Sequence, residues 1–253
     1  MRAEDLEIVV RGRRLHAQRW GSRSAPLVVG FPGLRGTAER FAFIGEHIGG
    51  DELQLVALDP RGRGKSEKSA PGSYGWENHA KDVLAIADAL GFERFSTIGH
   101  SMGGSVAMKT AELDASRLHR VVLIDIAGGV DRSVGAVIAG EIDDLRVTYD
   151  TVEEYLAHVR SGGLVEPWNE YWDRVQRAEV TEVDGRVTHL RRRRAIPAVH
   201  SGPSALFRDV GRIVDAIIKF SAEGPTLPGW TVLIRSLVGL GDGRESRRGC
   251  WRW

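Results

Sequence analysis

Cysteine is nearly absent: Cys250 is the only one in 253 residues. One thiol cannot close an internal disulfide, so a disulfide-framed fold is excluded and nothing argues for an oxidising compartment. Long apolar runs are missing too. No stretch approaches the ~18 uncharged apolar residues of a membrane-spanning helix. The opening residues, with Arg2, Glu4 and Asp5, lack the apolar run of a secretory signal. A cytoplasmic protein with no membrane partner is the expectation. Charge of one sign is also lacking, with 35 Lys+Arg against 34 Asp+Glu, so no nucleic-acid partner is expected. Neither a metal-ligand cluster nor a dinucleotide glycine fingerprint is present, so neither a metal nor a cofactor is expected.

What remains is ordinary for a globular chain, with 42% apolar and 27% charged residues. The length suits one large domain, or one domain carrying an insert. The balanced charge hides an asymmetry. Residues 189–253 hold twelve Lys+Arg against five Asp+Glu, while residues 1–188 hold twenty-three against twenty-nine.

Periodicity gives alternating strands and helices in the first half. Leu6, Ile8 and Val10 alternate with polar residues, and residues 15–20 follow a turn at Gly12, which predicts an opening hairpin. Residues 26–31 and 53–58 are short apolar runs, the mark of strands buried on both faces. Ala80, Val83, Leu84, Ala87 and Leu90 share one face of a helix over residues 76–90, which Gly91 ends. A strand over 95–99, a helix over 102–113 and a strand over 118–126 complete the pattern. Buried strands joined by helices imply an α/β fold with a mostly parallel sheet covered by helices. Beyond Gly128 and Gly129 no buried-strand signal appears, and residues 130–188 read as a helical insert.

The chemistry concentrates at Gly99-His100-Ser101-Met102-Gly103, between a predicted strand and a predicted helix. A G-x-S-x-G segment in that context exposes a serine hydroxyl on a sharp turn. The glycines remove Cβ atoms that would collide there, and the helix end favours a developing negative charge. With Phe31-Pro32-Gly33-Leu34-Arg35-Gly36, Asp59-Pro60-Arg61-Gly62-Arg63-Gly64-Lys65-Ser66 and Val122-Leu123-Ile124-Asp125-Ile126, this segment resembles the α/β-hydrolase fold family, in its small serine-esterase-like subgroup. The resemblance covers residues 6–128 well and the insert loosely. Phe31-Pro32 stands where the family carries a histidine before the glycine.

The resemblance implies a hydrolase acting on a carboxylic ester or similar small acyl substrate. Ser101 is the implied nucleophile, and the backbone N–H groups of Leu34 and Met102 form the implied oxyanion hole. Asp125 is the candidate acid, with Asp242 as the alternative. His200 is the candidate base, although no late histidine sits in the family's usual context. Serine at the elbow disfavours the family's dehalogenases and epoxide hydrolases, which use aspartate there. The Asp59–Ser66 run reads as a loop-fixing turn. Arg191 to Arg194 reads as a solvated charge run. Trp168, Tyr171 and Trp172 either line a pocket or pack the insert onto the core. His47 and His79 read as helix-surface residues, and His100 as pointing away from the site.

The expected organisation is a core over residues 1–129, a helical cap over 130–188, and a C-terminal part of the core over 189–253. That last part departs from the family's strand–helix–strand–histidine order and is expected to be the least regular. The alternative function is therefore a catalytically inactive relative or binding module on the same fold.

Overall fold

The computed structural model describes residues 2–124, 147–162 and 167–190. The alternating N-terminal segment forms the hairpin β1 (Glu4–Val10) and β2 (Arg13–Trp20), paired antiparallel from Glu4 opposite Arg19 to Val10 opposite Arg13. The two apolar runs become β3 (Leu27–Phe31) and β4 (Gln54–Leu58), every residue of both being buried. Between them lie a 3-10 turn at Ala38–Phe41 and the short helix α1 (Ala42–Ile48). Next come α2 (Trp76–Ala89), β5 (Phe95–His100), α3 (Met102–Asp114) and β6 (Leu118–Ile124). The sheet order is β1-β2-β4-β3-β5-β6. The β4, β3, β5 and β6 strands run parallel, and β2 joins β4 antiparallel.

The buried face of α2 differs from the expected one. His79, Ala80, Val83, Ile86 and Ala87 point inward, whereas Leu84 and Leu90 only flank the core. The inward stripe follows i, i+3, i+4 and i+7 from His79, so Ile86 takes the place assigned to Leu84. Val83 and Ile86 are fully buried, each contributing about 1.5–3 kcal/mol of apolar burial. His79 is thus no surface residue. Its ring packs 5.2 Å from that of Phe31. Burial, with Arg63 and Arg61 nearby, pushes its pKa down to about 3, so it stays neutral.

The insert expected to be helical also carries strands. Helices α4 (Val152–Ser161) and α5 (Glu170–Ala178) are present. So is a small antiparallel sheet of β7 (Thr148–Tyr149), β8 (Val180–Val183) and β9 (Arg186–His189), in the order β7-β9-β8. The signal was faint because β8 and β9 are four residues each around Asp184-Gly185, both at positive φ. The proposed boundary at Thr188 falls inside β9. Thr151 and Asn169 cap their helices, their side-chain oxygens accepting from the N–H groups of Glu154 and Trp172.

The Asp59–Ser66 run fixes loops, as expected. Asp59 Oδ1 accepts from the Ala38 N–H and Oδ2 from the Lys65 N–H, each at 2.8 Å. Ser66 Oγ donates to the Asp59 carbonyl at 2.6 Å. Arg61 is buried against Asp82, with Nε donating to Oδ2 at 2.7 Å.

Beneath this loop His16 sits between two carboxylates, 2.8 Å from Asp59 and 2.6 Å from Asp5. Burial lowers its pKa, but the hydrogen bonds and charges of Asp59 and Asp5 outweigh burial and the Lys65 charge, and the net shift is upward from 6.5. A histidine with a raised folded pKa stabilises below its unfolded pKa and loses that contribution as pH rises through the folded value. Wild type should therefore exceed His16→Gln in stability by a margin that shrinks between about pH 6 and about pH 9. Urea unfolding at both ends measures it. A margin that stays constant or grows sinks the charged-imidazole account.

Candidate active site

Ser101 follows β5 directly and N-caps α3 with φ 51° and ψ −117°. Few non-glycine residues adopt positive φ, and such strain concentrates at functional sites. Contacts on both sides hold the turn. The Ser101 N–H donates to the Ile124 carbonyl at 2.9 Å, and the Ser101 carbonyl accepts from the Gly104 N–H at 2.8 Å. A Cβ on Gly99 would run into the Gly103 backbone, and one on Gly103 into the Phe31 carbonyl. The glycines at these positions are therefore steric requirements of the turn.

The turn lies at the carboxyl edge of the sheet, where α/β folds place their sites, between the ends of β3 and β6. The loop after β3 comes alongside it. A Cβ on Gly33 would stand 3.4 Å from Ser101 Cβ and 3.1 Å from His100 Nδ1. His100, expected to point away, therefore lays its ring beside Gly33. Met102 opens α3, whose first N–H groups have no partner within the helix. Leu34, next to Gly33, is half-buried and faces a small cavity. Arg63 ties the two segments together. Its Nη1 donates to the Gly33 carbonyl at 3.2 Å, and its Nη2 lies 4.0 Å from Met102 Sδ.

Ser101, Met102 and Leu34 are thus brought to one corner of the fold. Asp125, Asp242 and His200 lie outside the described residues, as do Arg191 to Arg194 and almost all of the expected irregular C-terminal part.

Tyr171 and Trp172 pack onto the core, and Trp168 packs within the insert itself. Tyr171 Oη donates to the Arg40 carbonyl at 2.8 Å, and the Arg40 guanidinium lies 5.4 Å from the Trp172 ring centre. Trp168 packs with Tyr149, Tyr155 and Leu156, under Arg160 at 4.6 Å. Packing is the role the contacts show for all three.

The sequence reading missed a buried polar cluster beside the Leu34 loop. Glu179 is fully buried, accepting from Arg40 Nε at 2.5 Å and Nη2 at 2.7 Å. Burial raises its carboxyl, but the Arg40 charge and hydrogen bonds outweigh this and hold it well below the usual carboxylate range. Buried His189 stands 3.8 Å from Glu179 Oε2. Burial pushes its pKa down against the pull of Glu179. Its position at the end of a four-residue strand gave no signal. Among the described residues no group of His, Cys, Asp and Glu could hold a metal ion. No helix among them is long and apolar enough to cross a membrane.

Comparison with known proteins agrees with this geometry. The N-formylmaleamate deformylase of Pseudomonas putida is 33% identical over 137 residues, 53% of this chain and 50% of that protein. The 3-hydroxybutyrate-oligomer hydrolase of Cupriavidus necator is 27% identical over 230 residues, 85% of this chain and 75% of that protein. In fold the chain is similar to the crystal structure of an α/β hydrolase from Novosphingobium aromaticivorans. The TM-score is 0.71 at 24% identity, covering 85% of this chain and 78% of that one. The chain spans 50%, 39% and 33% of the lengths of three of the curated relatives it matches. The family model for the alpha/beta hydrolase fold matches residues 26–142, which include the strained serine turn, the loop after β3 and the parallel strands between them. With that sheet order and that turn at its carboxyl edge, the chain has the α/β-hydrolase fold, and its residues 26–142 are those that match the family.

Proposed function

We propose that the protein is a serine hydrolase that cleaves a carboxylic ester or a similar small acyl compound through an acyl-enzyme. One observation carries the reading: Ser101, strained at φ 51°, is half-buried at the start of α3 beside the Gly33–Leu34 loop. In this mechanism the Ser101 hydroxyl attacks the acyl carbon. The N–H groups of Met102 and Leu34 receive the oxyanion, each worth roughly 10²–10³ in kcat in comparable sites. His200 takes the serine proton and returns it to the leaving group, and Asp125 orients the imidazole. Without an imidazole the hydroxyl stays a weak nucleophile at neutral pH. Relatives named for deformylation and for oligomer hydrolysis support this reaction class.

A fluorophosphonate probe tests the reading, because it labels only an activated serine. Peptide mapping of the full chain should place one label on Ser101. A chain left unlabelled, or labelled at another serine, would point to the inactive relative instead.

A further inference from the structure

The two segments that carry the oxyanion donors meet at one side chain. Arg63, half-buried, sends Nη1 to the Gly33 carbonyl at 3.2 Å and holds Nη2 4.0 Å from Met102 Sδ. Gly33 and Leu34 share a peptide unit, whose oxygen belongs to Gly33 and whose N–H belongs to Leu34. The unit is planar and trans, so the N–H is directed opposite to the carbonyl. Whatever holds the Gly33 carbonyl therefore aims the Leu34 N–H. Neither the Leu34 nor the Met102 N–H donates to another described carbonyl.

Local sterics hold that peptide loosely. A Cβ at position 33 would stand 3.1 Å from His100 Nδ1 and 3.4 Å from Ser101 Cβ, so close packing against the elbow favours glycine. Glycine leaves the torsion that swings the next peptide plane with wide freedom. The Gly36 N–H closes a turn onto the Gly33 carbonyl at 3.1 Å, and Arg63 supplies the second restraint from outside the loop. Arg63 stands on a firm base. Its N–H donates to the Pro60 carbonyl and its carbonyl accepts from the Ser66 N–H, each at 2.9 Å. Asp59 joins the Lys65 N–H of this turn to the Ala38 N–H after the Gly33 loop, which sets the spacing that Arg63 bridges. A charged donor on the carbonyl also polarises the amide and strengthens its N–H as a donor.

We infer that Arg63 is a positioning residue of the oxyanion hole: its guanidinium orients the Gly33–Leu34 peptide and steadies Met102, so that both donors are set before substrate arrives. The catalytic consequence rests on the serine-hydrolase reading; the orientation of the peptide does not.

Two measurements on the full chain separate these claims. In the first, glycine labelled at the carbonyl carbon and leucine at the amide nitrogen leave three Gly–Leu pairs visible by NMR, and Leu34→Ile identifies the pair of interest. An amide nitrogen is deshielded when the carbonyl of its own peptide accepts a hydrogen bond. Arg63→Met, which keeps the apolar stem, should therefore move the Leu34 nitrogen upfield. Arg63→Lys, whose single ammonium cannot span both contacts, should move it less and serves if Arg63→Met does not fold. In the second, Arg63→Met should lower kcat on nitrophenyl butyrate about 10–100-fold, with KM changed less than about threefold. Acylation and deacylation both pass through an oxyanion, so kcat falls whichever step limits. A trifluoromethyl ketone takes Ser101 Oγ at its carbonyl carbon, the serine proton passing to the base and the ketone oxygen becoming the oxyanion. Its affinity should fall by a factor of the same order as kcat, and Arg63→Lys should recover part of both. A packing role alone would lower stability and leave kcat and ketone affinity of the folded protein unchanged. An unmoved Leu34 resonance, or unchanged kcat and ketone affinity in an active protein, overturns the inference. A moved resonance, in a protein whose wild type turns over no ester and takes no fluorophosphonate label, keeps the positioning and removes the hydrolase reading.

Discussion

Ser101→Ala is expected to lower kcat on a nitrophenyl ester roughly 10⁴–10⁶-fold, as removal of a serine nucleophile does elsewhere. Residual turnover would come from the oxyanion donors and binding. The same substitution should leave thermal stability nearly unchanged. Alanine is as strained as serine at φ 51°, and the Ser101 side chain caps nothing in α3. Ser101→Gly provides the contrast. Glycine adopts positive φ without penalty, so relief of strain worth about 1–3 kcal/mol should raise the melting temperature. Activity should still be lost. Thermal melts and ester hydrolysis on the three proteins distinguish a strained nucleophile from an ordinary turn serine. Retained turnover in Ser101→Ala, or a collapse of its fold, would remove Ser101 from the chemistry.

Glu179→Leu should destabilise the protein by about 3–5 kcal/mol, because it leaves the Arg40 guanidinium uncompensated in a mostly buried place. The Glu179 side chain is 0% exposed and that of Arg40 19%, so screening by water discounts little on the acid side and modestly on the basic side. The pair joins α5 and β8 to the 3-10 turn after β3, and Tyr171 on α5 bonds to the Arg40 carbonyl. Loss of the pair should therefore release residues 170–190 to protease before the core unfolds. The double variant Arg40→Met, Glu179→Leu should recover most of the loss, since apolar replacements often equal a buried ion pair. Urea unfolding of the two single variants and the double variant closes the cycle. A loss below about 1 kcal/mol in Glu179→Leu would show that the pair behaves like an exposed one.

The sheet was legible because its strands are short, apolar and bounded by turns. Residues 27–31 and 54–58 read as strands buried on both faces, and 118–124 as a strand whose buried residues are Leu118, Val121 and Leu123. The elbow was legible because a serine flanked by Gly99 and Gly103 between strand and helix admits few other structures. The four-residue strands β8 and β9 were not. Their burial is partial and they complete a sheet only with two residues from Thr148–Tyr149, nearly forty positions upstream. Periodicity in one segment cannot report a partner that distant.

The sequence alone thus determined the local build of the turn: which serine stands on it, which neighbours must lack a Cβ, and which strand and helix carry them. Those features depend on contacts within a few residues. Only the tertiary structure decided which polar groups are buried and with whom. Glu179 is 139 residues from Arg40, and His79 looks like a helix-surface residue until Phe31 covers it. Arg35, Thr37 and His189 share a cavity only because β9 returns to the loop after β3. Desolvation and charge pairing are set by what surrounds a side chain in space, and those surroundings come from segments far apart in the chain.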